Sequence, residues 1–136
     1  MTNPTEQPFG LYIHIPFCTR ICHYCDFAKT SNYSSDHVLA YLRTCVAQLA
    51  AWKKALPANK KFTSVFFGGG TPGILTHEYE ALMAAIHDLT APDAEISLES
   101  NPGNVTLENI AIWKNLGFNR LSIGVQSFDD AGLTTL

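Results

Sequence analysis

The 136-residue sequence is poor in charge and poorer in basic residues: charged side chains make up 15%, nine Lys and Arg stand against twelve Asp and Glu, and the net charge is -3. No Lys or Arg run exceeds a pair such as Lys60-Lys61. A surface for nucleic acid or anionic membrane is therefore not expected. No apolar stretch approaches the roughly 18 residues that a membrane span requires, which excludes a transmembrane segment in this sequence. The opening MTNPTEQP has neither the basic start nor the apolar segment of a secretory signal, so residues 1–8 read as a flexible leader and the expected location is cytoplasmic. Cysteine is scarce as well, with four in all. Without an export signal they are read as metal ligands or free thiols, not as a disulfide framework. Low-complexity segments and sequence repeats are also missing. What remains is a composition 46% hydrophobic, enough for one modest globular domain.

Three of the four cysteines fall in one short stretch, LYIHIPFCTRICHYCDF, where Cys18, Cys22 and Cys25 form C-x-x-x-C-x-x-C. Such thiolates reach one metal centre only if the loop wraps around it. Iron-sulfur clusters normally take four Cys thiolates. Three would leave one iron open to an outside ligand, and an open position marks a reactive site. On spacing alone a zinc-binding structural loop competes, with Cys22 and Cys25 as a C-x-x-C half-site and His14 or His23 supplementing Cys18.

Periodicity supplies the scaffold. Leu11, Ile13 and Ile15 alternate with Tyr12 and His14 in a strand that ends at Pro16. Ser34 or Ser35 is expected to cap a helix carrying Val38, Leu42, Cys45, Val46, Leu49 and Trp52, which ends at Leu56-Pro57. A strand over 62–67 runs into Gly68-Gly69-Gly70-Thr71-Pro72. Thr76 is expected to cap a helix bearing Tyr79, Leu82, Met83, Ile86 and Leu89, with Pro92 as its stop. A third strand over 95–100 ends at Asn101-Pro102-Gly103. A third helix opens at Thr106, turns Ile110, Trp113 and Leu116 inward and closes at Gly117. A fourth strand covers 120–126, and Asp129 starts another helix.

Strands alternating with helices predict an α/β fold with a parallel sheet and right-handed crossovers. The period-2 phase assigns Leu11, Ile13, Ile15, Val65, Phe67, Ile96, Leu98, Leu121, Ile123 and Val125 to a helix-covered face. Tyr12, His14, Ser64, Gly68, Ser97, Glu99, Ser122, Gly124 and Gln126 share the opposite face, small or polar, suited to lining a barrel around a ligand. Polar strand ends and unusual loops collect at the C-terminal rim, where barrel active sites sit. Four units cannot close an eight-unit barrel of about 250 residues. Residues 9–136 are thus expected to be the truncated N-terminal part of a larger TIM-like barrel.

Each remaining candidate has a bland alternative. The glycine run lacks the Lys of a P-loop and the spacing of a dinucleotide fingerprint; it is either an ordinary turn or a close backbone approach to a ligand. Glu99 and Gln126 close strands on the polar face, as ligand contacts or as solvated ends. Tyr12 is a ligand contact or barrel filling, and His14 reads as a hydrogen-bonded structural residue. Cys45 lies on an apolar helix stripe and reads as a small buried hydrophobe.

The segments YIHIPFC, YCDF, GGGTP, ESNPG and RLSIGVQSF, in this order over nearly the whole chain after Phe9, resemble the radical S-adenosylmethionine superfamily. The closest likeness is to the branch holding the oxygen-independent coproporphyrinogen III oxidases and the HemW-type heme chaperones. The resemblance implies a six-unit partial barrel. It also implies a 4Fe-4S cluster on Cys18, Cys22 and Cys25, with S-adenosylmethionine on the open iron, and one-electron cleavage of that cofactor to methionine and a 5'-deoxyadenosyl radical. Gly69, Gly70 and Thr71 would then meet the methionyl amino group, Glu99 and Gln126 would lie against the cofactor, and Tyr12 and Tyr24 would be aromatic contacts. The oxidases of the branch carry a further cysteine two positions after the third; here that position is Phe27. CDF is the chaperone pattern, implying heme as bound cargo and a heme acceptor protein as partner. The alternative is the enzyme of porphyrin biosynthesis, which oxidatively decarboxylates the propionates of coproporphyrinogen III to give protoporphyrinogen IX, with an electron donor protein as a further partner. No catalytic or heme-binding residue is assigned.

Overall fold

A computed structural model describes residues 9–57 and 60–136. The leader expected over residues 1–8 lies outside the described residues. Four strands, β1 (Gly10–Ile15), β2 (Phe62–Gly69), β3 (Thr90–Ser100) and β4 (Arg120–Ile123), pair in the order β1-β2-β3-β4, every pair parallel. Between and after them run α1 (Ser35–Ala55), α2 (Glu80–His87), α3 (Leu107–Leu116) and α4 (Asp130–Thr135). The expected α/β alternation with a parallel sheet is present.

Register turns the alternation of the sequence into two faces. Leu11 pairs with Val65, which pairs with Ile96; Ile13 pairs with Phe67, which pairs with Leu98. All six are buried, in one core with Val38, Leu42 and Leu49 of α1 and Leu82, Met83 and Ile86 of α2. Phe67, Tyr79 and Phe118 form a triangle of edge contacts with ring centroids 4.9 to 5.7 Å apart, so truncating Phe67 would cost about 3–5 kcal/mol. Two buried polar atoms of this core are bonded to the loop behind the glycine run: the Tyr79 hydroxyl donates to Pro72 O at 2.9 Å and the Trp113 indole to Leu75 O at 3.0 Å. Burial also pushes the Tyr79 phenol well above its ordinary pKa, so it stays protonated as that donor.

On the opposite face Tyr12, Phe66, Ser97 and Arg120 form one row across the sheet, and the next row toward the strand ends runs from His14 and Gly68 to Glu99 and Ser122. Phe66 departs from the small or polar lining expected there. It is 38% exposed and stacks on Tyr12 at 6.3 Å, making an aromatic patch at mid-sheet.

Local chemistry sets the helix ends. The Ser34 hydroxyl accepts from His37 N at 3.3 Å while Ser34 N donates to the His37 ring at 3.2 Å, a reciprocal capping box, and Leu56 ends α1 in extended backbone. The Thr106 hydroxyl accepts from Asn109 N at 3.1 Å, and Gly117 closes α3 at φ 101°.

Five expectations are corrected. Thr76 makes no side-chain cap; its N–H donates to the Glu78 carboxylate, and a 3-10 turn at His77–Tyr79 precedes α2. β3 starts at Thr90, ahead of Glu95, because Thr90 pairs with Phe62 and the intervening Pro92 is absorbed in a register irregularity where no N–H is needed. Ile110 is 40% exposed, since α3 turns Trp113 and Leu116 to the core instead. Trp52 is exposed at the last turn of α1. β4 ends at Ile123, because the chain turns there with Val125 N bonded to Ile123 O; Ile123 is exposed, and Val125 and Gln126 lie beyond the strand.

Candidate functional site

The site is built where the first two strands end. Thr30 N donates to Pro16 O at 2.7 Å and Cys18 N donates to Thr30 O at 3.0 Å, closing residues 18–29 at their base into a compact loop. Phe17 anchors that base with its ring 4.8 Å from Tyr33 and 5.5 Å from Tyr41. Inside the loop Cys25 N donates to Cys22 O at 3.2 Å, and the Lys29 ammonium folds back to donate to the Cys25 and Phe27 carbonyls. Backbone and ammonium bonds thus shape the loop. All four cysteines are free; Cys18 is buried, Cys22 and Cys25 are half-buried.

The glycine run docks onto the start of this loop. Gly70 N donates to Ile15 O and Thr71 N to Phe17 O, both at 2.8 Å. The approach leaves no room for a side chain: a Cβ on Gly70 would stand 2.7 Å from Phe17 O and 2.9 Å from Cys18 Sγ. Gly69, at φ 114°, would drive a Cβ into the His14 ring at 2.6 Å. The Thr71 hydroxyl donates to Cys18 Sγ at 3.6 Å and accepts from Asn101 Nδ2 at 3.5 Å, joining the ends of β2 and β3 to the first cysteine. Glu99 accepts from Gly69 N at 3.3 Å.

These pieces enclose one cavity of about 690 Å³. Cys18, Cys22, Cys25, Tyr24, Gly69, Gly70, Thr71, Glu99 and Gln126 all line it. Of the residues expected at the site only Tyr12 lies outside the lining; it sits in the row below, its hydroxyl 3.1 Å from His14 Nδ1. Its pKa is raised by burial and then by the Glu99 charge. Partial burial, then the Cys22 and Cys25 thiols, push the Tyr24 phenol up. Gln126 reaches the cavity from a left-handed backbone position at φ 67°, not from a strand end. Cys45 lies apart, half-buried against the core, its thiol pushed up by burial.

Several lining residues were given no site role from sequence, Arg20, Lys29 and Asn101 among them. Arg20 and Lys29 carried no signal beyond their neighbourhood. Asn101, in an Asn-Pro-Gly turn directly after a strand, was the one that could have been found. Among the described residues no three His, Cys, Asp or Glu side chains gather as they would around a single ion, and no helix is long and apolar enough to cross a membrane.

The Radical SAM superfamily model matches residues 12–135. The chain belongs to the radical SAM superfamily. Within it the chain is 38% identical to the bovine radical S-adenosyl methionine domain-containing protein 1, mitochondrial, over 98% of its own length and 30% of that protein's. It is 41% identical to the heme chaperone HemW of Mycobacterium tuberculosis, over 96% of its own length and 34% of that protein's. Its fold superposes on coproporphyrinogen III oxidase (HemN) of Escherichia coli, a radical SAM enzyme, with a TM-score of 0.77 at 32% identity, covering 93% of this chain and 30% of that one. The chain thus spans about a third of the length of the curated relatives it matches. Its parallel sheet corresponds to the N-terminal part of the radical SAM fold.

Radical SAM membership implies an iron-sulfur cluster and S-adenosylmethionine. The residues present fit both groups. Three free thiols face one cavity, and the glycine cradle that a Cβ would fill lies directly against the first of them.

Proposed function

We propose that this chain is the cluster-bearing N-terminal portion, residues 9–136, of a HemW-type heme chaperone working in the cytoplasm. It would bind heme as cargo and pass it to an acceptor protein. The observation that carries the reading is the joint lining of one cavity by Cys18, Cys22 and Cys25 together with Phe27. Three thiols and no fourth at the position after Asp26 match the chaperone pattern.

In this reading Cys18, Cys22 and Cys25 hold a 4Fe-4S cluster and leave one iron for S-adenosylmethionine; when bound, that pair supplies one-electron reductive cleavage of the sulfonium. The chain's own part is to bind and orient. Gly69, Gly70 and Thr71 bring backbone groups to the cofactor's amino acid end, and a side chain on Gly69 or Gly70 would collide with His14 or with Phe17 and Cys18. Glu99 offers a carboxylate oxygen to an ammonium or to ribose hydroxyls. Tyr24 offers an aromatic face beside the cluster, Tyr12 a second aromatic ring from the row below, and Gln126 an amide.

One observation favours a second reading. The superposition on a coproporphyrinogen III oxidase supports an enzyme that oxidatively decarboxylates a porphyrinogen, with a donor protein reducing the cluster. Two assays on the full-length protein separate the readings. Stoichiometric heme binding with no porphyrinogen turnover, in the presence of S-adenosylmethionine and reductant, supports the chaperone. Turnover establishes the oxidase and rejects the chaperone assignment.

A further inference from the structure

His14 touches more of the site than a lining residue needs to. Its Nε2 is 2.7 Å from the Ala28 carbonyl, which only accepts, so Nε2 carries a proton. In a neutral imidazole Nδ1 is then an acceptor, and the Tyr12 hydroxyl 3.1 Å away donates to it. The ring lies against Gly69, where a Cβ would meet three of its atoms at 2.6 to 3.1 Å. The His14 carbonyl accepts from the Tyr41 hydroxyl of α1 at 2.7 Å. One residue of β1 thereby meets the exit of the cysteine loop, the glycine run, the first helix and the inner sheet face.

We propose that His14 is a positioning residue: donating from Nε2, it ties the exit of the cysteine loop to the glycine run and so sets where Cys22 and Cys25 stand relative to Cys18. The selectivity follows from the other bonds. Cys18 is held without His14, by its backbone bond to Thr30 and by the Thr71 hydroxyl. Between Cys22 and Ala28 the loop is bonded by its own turn and by Lys29, which belongs to the loop and moves with it. Thr30 anchors the base of the loop through Pro16 and Cys18, and the His14 bond to Ala28 is the contact from β1 to the side of the loop that carries Cys22 and Cys25.

The inference rests on the cysteines being the cluster ligands, and its test is read on thiols so that the two can fail separately. In the full-length protein stripped of metal, alkylation of each cysteine is timed by mass spectrometry in the parent, in His14→Leu and in His14→Gln, whose amide can still donate to Ala28 O. The expected result is a rise of roughly five-fold for Cys22 and Cys25 in His14→Leu, the factor one lost hydrogen bond is worth. Cys18 should be unchanged and His14→Gln should restore most of the difference. Equal rates in parent and His14→Leu, or an equal rise at Cys18, would overturn the proposal. Should His14→Leu fail to fold, nitrogen-15 NMR of the unmodified protein decides, because a ring protonated at Nδ1 and bare at Nε2 is incompatible with it. If the parent assembles no iron and sulfide, the cluster reading fails while the thiol rates still judge His14.

Discussion

Replacing Gly70 by alanine tests whether the glycine run is shaped by its contact with the cysteine loop. The added Cβ would meet Phe17 O at 2.7 Å, the backbone carbon of Pro16 at 2.9 Å and Cys18 Sγ at 2.9 Å. Two of these three atoms are backbone, held by the strand that ends at Ile15, so they cannot swing away as a flexible side chain would. Relief requires the two loops to separate, which stretches the Gly70 N to Ile15 O and Thr71 N to Phe17 O bonds. Overpacking of this kind costs about 1–3 kcal/mol, and weakening one or two hydrogen bonds adds about 1 kcal/mol. A loss of roughly 2–4 kcal/mol is expected, read as a lower midpoint in urea with unchanged slope. Cys18 is displaced in the same movement, so iron and sulfide content after reconstitution should fall with stability. Gly103 provides the internal control, since a Cβ there meets nothing within 4 Å and Gly103→Ala should stay within about 0.5 kcal/mol of the parent. Equal stability and cluster content for Gly70→Ala and Gly103→Ala would refute the steric reasoning.

Gln126 sits at φ 67°, where an L-residue is strained by about 1–2 kcal/mol, so Gln126→Gly should melt no lower than the parent while binding S-adenosylmethionine more weakly by calorimetry. A variant destabilised and unchanged in binding would reverse that assignment. The Glu95 carboxyl is held below its ordinary range, first by its bond from the Arg120 guanidinium at 2.9 Å and next by the Ser97 hydroxyl. A depressed folded-state pKa contributes stability above the unfolded value and loses it as pH falls through the folded one. The melting difference between parent and Glu95→Gln should therefore be present at neutral pH and vanish in acid; a difference that grows on acidification would contradict this.

Much of the fold was legible because its elements carry strong local signals. Period-2 alternation assigned Leu11, Ile13, Val65, Phe67, Ile96 and Leu98 to the buried face, and Ser34, Thr106, Gly117 and Asp129 mark helix ends through bonds to near neighbours. Errors fell where a distant partner, or a tight turn within two residues, overrides the periodic signal. Pro92 reads as a stop, yet Thr90 is drawn into the sheet by Phe62. Gln126 continues an alternating pattern, yet the chain has already turned. Phe66 shows the opposite failing, a signal present in the strand's phase and left unread.

At the site the cysteines, the glycine run and Glu99 were legible as types and spacings, and the cavity brings them together. What tied them was not. The bonds of Thr71 to Cys18, Asn101 to Thr71 and His14 to Ala28 join residues 14 to 53 positions apart, and nothing local in the sequence encodes such partners. Tyr12 illustrates the same limit: its inward direction follows from phase, while its place one row below the cavity depends on the register with β2.

Anaerobic reconstitution of the full-length protein with iron and sulfide, followed by metal and sulfide analysis and low-temperature EPR, measures the central claim most directly. About four irons and four sulfides per chain are expected, with a signal that changes on adding S-adenosylmethionine and disappears in Cys18→Ala. One tightly held zinc ion without sulfide, or a Cys18→Ala variant that assembles the cluster as well as the parent, would contradict it.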